Sequence, residues 1–171
     1  KKILFTGISP EKFFQRGFIF HLPLIKIAPL FDYNAFDSFV RRVRDYDWVV
    51  FASRFGVEYF FKRLYQNGFD TRALAGLEIA AIGLSTANRL LDFGIRADLI
   101  PKEESSRGLL RELSKIDLKG KKVFIPRSNL GDKGLNTGLA VLGARVDSAV
   151  AYRNIPAGSL PDLDLSTFDE V

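Results

Sequence analysis

No cysteine occurs in the 171 residues, and histidine occurs once, at His21. The first absence excludes disulfides and thiolate catalysis, and the second leaves too few ligands for a zinc site or a histidine-based triad. No apolar run reaches the roughly 18 residues that cross a bilayer, and the opening Lys1-Lys2-Ile3-Leu4-Phe5 reads as a strand rather than a signal peptide. A soluble cytoplasmic chain with no membrane contact is expected. GxGxxG and the glycine-lysine pair of a phosphate loop are also missing, so nucleotide binding has no motif behind it. Excess charge is small: 25 Lys and Arg against 20 Asp and Glu leave +5. The cations are scattered apart from Arg41-Arg42-Arg44 and Lys119-Lys121-Lys122. This favours anionic partners in general, but the aromatics lie at core spacing rather than among the cations, which argues against a nucleic-acid surface.

What the chain does have is apolar content, 47% of its residues with 16 Phe among them, enough for a substantial core. Short runs rich in Val, Ile and Phe alternate with helix-period segments, the pattern of an α/β protein with a parallel sheet. The expected strands are 2–6, 24–28, 48–52, 77–82, 97–100, 122–126 and 145–152, and their continuous hydrophobicity suits burial on both faces. Helical stripes run through Phe36, Phe39, Val40 and Val43, and through Val57, Phe60, Phe61, Leu64 and Tyr65 to a stop at Gly68. Ser85 is an expected cap for a helix ending at Gly94, and Ser105 or Ser106 for one carrying Leu109, Leu110 and Leu113. Leu135, Leu139 and Leu142 lead to Gly143 in the same way. His21 falls in an expected solvated loop beside Pro23, and Pro156 to Pro161 reads as a linker.

The chain also repeats itself. Lys1-Lys2-Ile3-Leu4-Phe5-Thr6 matches Lys121-Lys122-Val123-Phe124-Ile125-Pro126, and Tyr46-Asp47-Trp48-Val49 matches Phe168-Asp169-Glu170-Val171. Duplication is the expectation, with one and a half copies present and the rest of the second copy expected beyond Val171.

Three expected strands break into small polar turns: Ser53-Arg54-Phe55-Gly56, Gly83-Leu84-Ser85-Thr86 and Arg127-Ser128-Asn129. In an open parallel sheet all three share the carboxyl edge, where helix amino termini attract anions, so a groove for a carboxylate or phosphate ligand is expected there. Taken singly, Ser53, Ser85, Thr86 and Ser128 read first as helix caps, and Arg127 equally as a surface cation. Tyr152 closes the last strand and reads either as a core residue with a wet hydroxyl or as a proton donor.

Together these segments resemble the uroporphyrinogen-III synthase family. The matching pieces are Asp47 to Ser53 with Gly56-Val57; Ala80 to Ala87 with Leu90 and Gly94; Ile125-Pro126-Arg127-Ser128; and Gly143-Ala144 through Val150-Ala151-Tyr152-Arg153. Ala52 and Phe55 depart from the family's frequent Thr and Asn or Ser, which weakens a side-chain role for that turn. The resemblance implies two flavodoxin-like three-layer lobes joined by two strands. Residues 33–155 would form one complete lobe, 1–31 the opening strands of the other, and 156–171 the return to it. It further implies cyclisation of hydroxymethylbilane to uroporphyrinogen III with inversion of the last ring and loss of water, without cofactor or metal. The implied partners are the polycarboxylate linear tetrapyrrole and hydroxymethylbilane synthase, and the implied full-length state is a monomer. Tyr152 would be the general acid, with Ser53, Gly83, Ser85, Thr86, Arg127 and Ser128 as substrate-binding residues. The alternative is a non-catalytic ligand-sensing module of the same fold within a regulator. A receiver-type domain would need acidic residues at the strand ends, where Ser53, Arg54, Ser85, Thr86 and Arg127 stand.

Overall fold

The computed structural model describes residues 1–10, 13–158 and 161–171. The chain divides into two compact units, Lys1–Ala28 with Asn154–Val171, and Pro29–Arg153. In the first unit β1 (Lys2–Phe5) and β2 (Phe18–His21) pair in parallel, and β3 (Ile25–Ala28) follows. The second unit holds β4 (Trp48–Phe51), β5 (Glu78–Ala81), β6 (Lys122–Ser128) and most of β7 (Arg145–Pro156), in the order β7-β6-β4-β5 with every neighbouring pair parallel. Its helices are α1 (Asn34–Val40), α2 (Arg54–Gln66), α3 (Leu84–Leu91), α4 (Ser106–Leu113) and α5 (Lys133–Val141).

Both faces of this sheet are covered, as the unbroken apolar strands require. Val123 and Ile125 of β6 join Val50, Leu109, Leu113, Leu135 and Leu139 on the α4–α5 side. Phe124, between them, points the other way and packs against Phe36, Phe39 and Phe60 of α1 and α2. Strand alternation therefore divides one run of hydrophobic residues between two cores. Complete burial of Phe124 alone is worth roughly 2–3 kcal/mol. Helix ends follow local chemistry. Ser53, Ser105 and Asp132 cap α2, α4 and α5 by accepting from Gly56, Gly108 and Gly134 N–H. Gly68, Gly94 and Gly143 take the positive φ that turns the chain away.

The repeat read from sequence recurs in backbone hydrogen bonds. Asp47 N–H donates to Lys122 O at 2.9 Å while Lys122 N–H donates to the Asp47 carboxylate at 2.8 Å. In the first unit Asp169 N–H donates to Lys2 O at 2.8 Å while Lys2 N–H donates to the Asp169 carboxylate at 2.6 Å. Trp48 pairs with Val123, and Glu170 bridges to Ile3, each in parallel.

Several expectations need correction. Residues 97–100 form no strand: Leu99 makes a single bridge to Ala80, because the Asp98 carboxylate takes the Ile79 N–H at 2.7 Å and Pro101 offers no donor beyond it. His21 ends the strand Phe18–His21 rather than lying in a loop, and, exposed, it holds Gly7 O through Nε2 at 2.8 Å. The helix through Phe36 stops at Val40, and Val43 lies in a separate short turn. β7 runs to Pro156 rather than Tyr152. Ser159 and Leu160 of the expected linker, and Glu11 and Lys12 of the opening segment, lie outside the described residues.

Candidate active site

The carboxyl ends of β4, β5 and β6 lie on one edge because the three strands are parallel. Ser53 follows β4, in extended backbone (φ −164°, ψ 155°) with its Oγ accepting from Gly56 N–H at 2.9 Å. Gly56, in the first turn of α2, lets the helix approach β6 closely: a Cβ there would lie 3.1 Å from Pro126 O. Across the sheet edge the Ser53 hydroxyl meets the Tyr152 phenol at 2.7 Å. A β-bulge between Arg127 and Ser128 shifts the β6–β7 register so that Ser128 faces Tyr152, as bulges next to functional sites re-aim side chains.

Tyr152 is only 5% exposed. Its ring stacks on Tyr59 at 5.6 Å and leans on Phe55 at 6.0 Å, so α2 supplies both the ring's clamp and the hydroxyl's partner. Burial pushes the Tyr59 phenol above its ordinary value, and neighbouring Tyr33 and Glu58 add to the effect. A cavity of about 130 Å³ opens here, walled by Ser53, Ser106, Arg127, Ser128, Asn136 and Tyr152 among others. Arg127 donates from Nη1 to Ser128 O at 3.0 Å and forms no ion pair among the described residues.

Four of the seven candidate residues, Ser53, Arg127, Ser128 and Tyr152, thus meet around one cavity. Gly83, Ser85 and Thr86 do not line it. They sit at the neighbouring β5–α3 turn, where Thr86 is buried and Ser85 exposed. Ser85 is not the cap of α3. Gly83 holds that position without a side-chain bond, and a Cβ on it would collide with the Glu104 carboxylate. Ser128 is no cap either: it ends β6 as a buried residue, and α5 begins only at Lys133 behind Asp132.

The family described as "Uroporphyrinogen-III synthase HemD" matches residues 11–167. The chain belongs to this family. Among its relatives, a "Putative uroporphyrinogen-III synthase" of Methanothermobacter thermautotrophicus is 34% identical over 114 residues, 67% of this chain and 44% of that protein. A "Uroporphyrinogen-III synthase" of Synechococcus elongatus is 27% identical over 147 residues, 84% of this chain and 54% of that protein. The chain therefore spans about half the length of these two relatives. The crystal structure of a mutant uroporphyrinogen III synthase from Thermus thermophilus superimposes with a TM-score of 0.72 at 20% identity, over 91% of this chain and 63% of that one. This last likeness establishes the α/β fold.

Two wall residues of the site in this HemD family member escaped the sequence. In the sequence Ser106 is marked only as a possible cap, and Asn136 carries no signal beyond lying on the Leu135–Leu139 helix. Asn136 Nδ2 donates to Ser148 Oγ at 2.6 Å, and its buried Oδ1 has no partner among the described residues. Among the described residues no group of His, Cys, Asp or Glu is arranged to hold a metal, and no helix is long and apolar enough to cross a membrane.

Proposed function

We propose that the protein cyclises hydroxymethylbilane to uroporphyrinogen III, inverting the last pyrrole ring and releasing water, in cytoplasmic tetrapyrrole biosynthesis. The family match across residues 11–167 carries this reading. The cleft chemistry supports it: a tyrosine, a cation without an ion-pair partner among the described residues and a helix amino terminus converge where a polycarboxylate would be held.

In this reading Arg127 and the amino end of α2 anchor substrate carboxylates, and the β5–α3 turn with Gly83, Ser85 and Thr86 extends the binding edge. Tyr152 is the general acid. It gives its proton to the substrate's hydroxyl as the carbon–oxygen bond breaks, so that water leaves, and the proton lost on ring closure restores the phenol. Holding the linear chain in the closing geometry lowers the entropic barrier and disfavours uninverted closure. No cofactor or metal takes part. The same reading makes the protein bilobed, with residues 33–155 a flavodoxin-like three-layer lobe and 1–31 and 156–171 parts of another. It also makes the protein a monomer supplied by hydroxymethylbilane synthase.

The test is to feed fresh hydroxymethylbilane to the natural polypeptide that carries this chain and to separate the oxidised products. Isomer III in excess of the spontaneous isomer I is expected. Isomer I alone would overturn the proposal.

A further inference from the structure

We propose that Ser53 is the positioning residue for Tyr152: its hydroxyl donates to the phenol oxygen and leaves the phenol's own hydrogen for an acceptor entering the cavity. This rests on the synthase reading for its consequence, but the hydrogen-bond direction stands on the geometry alone.

A serine hydroxyl has one hydrogen and two lone pairs. One lone pair of Ser53 Oγ is taken by the Gly56 N–H at 2.9 Å, and the phenol lies 2.7 Å away. The two hydroxyls own two hydrogens, and the bond between them uses one. If Tyr152 donated, the remaining hydrogen would be serine's, at a helix start whose nearby backbone groups are themselves N–H donors rather than acceptors. If Ser53 donates, the remaining hydrogen belongs to Tyr152 and faces a cavity whose wall includes Asn136, with its buried Oδ1 unpartnered among the described residues. A water of the size that cavity admits can bridge the two. Accepting from Gly56 N–H at the positive end of α2 also polarises the Ser53 O–H toward donation. Tyr59 and Phe55 hold the ring, so the direction of the hydroxyl hydrogen is the one freedom left for Ser53 to set.

The Raman spectrum of tyrosine reads this directly, because the intensity ratio of its Fermi doublet rises when the phenol accepts a hydrogen bond and falls when it donates. The Tyr152 contribution is isolated by subtracting the spectrum of Tyr152→Phe. Ser53→Gly is the informative variant, since glycine is tolerated at an N-cap with little loss of stability. Ser53→Thr restores the hydroxyl. The proposal expects the intermediate ratio of a phenol that both accepts and donates in the wild type and in Ser53→Thr, and a lower, donor-type ratio in Ser53→Gly. A donor-type ratio in the wild type, or no change in Ser53→Gly, would overturn it.

In the cyclisation assay Ser53→Gly should lower kcat by roughly 10-fold, the scale of one hydrogen bond, with KM unchanged and with rescue by Ser53→Thr. A raised KM at unchanged kcat would make Ser53 a substrate ligand and overturn the positioning role. A wild type that forms no isomer III would remove the synthase reading while the Raman comparison still decides the bond.

Discussion

Asp37 keeps a carboxylate among aromatic rings because Arg63 reaches both of its oxygens, Nε to Oδ1 at 2.8 Å and Nη2 to Oδ2, while lying over the Tyr33 ring at 4.4 Å. Burial by itself would raise the Asp37 pKa. The hydrogen bonds from Arg63 and Asn67 and the charges of Arg63 and Arg41 outweigh it, and the net result is a lowered value. A carboxyl whose folded pKa lies below its unfolded value, about 3.9, adds stability that is present above that pH and disappears as pH falls through the folded value. Urea unfolding of Asp37→Asn should accordingly show a flatter loss of stability below about pH 4 than the wild type. Arg63→Ala should cost about 3 kcal/mol at pH 7, since it strands a buried charge. An unchanged acid limb in Asp37→Asn would remove the pair from acid unfolding. At the site, Tyr152→Phe should slow isomer III formation roughly 10- to 1,000-fold with the fold retained, and Thr86→Ala, buried outside the cavity, should cost less. A greater loss at Thr86 would reverse the two roles. Ser53, Arg127 and Ser128 were legible because short polar turns after apolar strands stand out in sequence, and Tyr152 because it closes an apolar strand. Asn136 and the Asp37–Arg63 pair were not, because each is defined by a partner at a distance along the chain that no local pattern encodes.

Elements were legible wherever a local signal decided them, as with the glycine stops at Gly68, Gly94 and Gly143 and the Ser53 and Ser105 caps. They were missed where a competing group decided. Residues 97–100 have strand composition, yet Asp98 diverts the hydrogen bond that a ladder needs, and Phe18–His21 is a largely exposed strand whose two-residue period is masked by three apolar residues in four. Gly108 gives a sharper test of element-level reasoning. Intrinsic propensity favours alanine over glycine inside a helix by about 1 kcal/mol. In α4, however, a Cβ at Gly108 would overlap the backbone carbonyl oxygen of Glu103, which cannot swing aside as a side chain can. Gly108→Ala should therefore destabilise the protein, by roughly 1–3 kcal/mol, against its helix propensity. Thermal unfolding measures this, and a variant more stable than the wild type would mean the segment before α4 yields freely.

At the scale of the molecule, the sequence repeat corresponds to a repeated backbone contact, the Asp47–Lys122 pair and its counterpart Asp169–Lys2. The same local geometry nevertheless stands in two very different environments. In the second unit it is backed by fully buried Val49, Val50, Phe51, Phe124 and Ile125. In the first unit, among the described residues, the buried hydrophobic core comprises only Ile3 and Leu4, while Phe18 is 68% exposed and Leu24 44%. Local opening free energy scales with the apolar contacts that opening breaks, so equal hydrogen bonds need not be equally protected. Amide exchange should be slowest in β4 and β6 and faster by orders of magnitude in β1 and β2, with the Lys122 amide outlasting the Lys2 amide although both donate to an aspartate carboxylate. Hydrogen exchange followed by NMR or mass spectrometry resolves the four segments. Uniform protection across β1, β2, β4 and β6 would show that the first unit draws stability from something other than its own core.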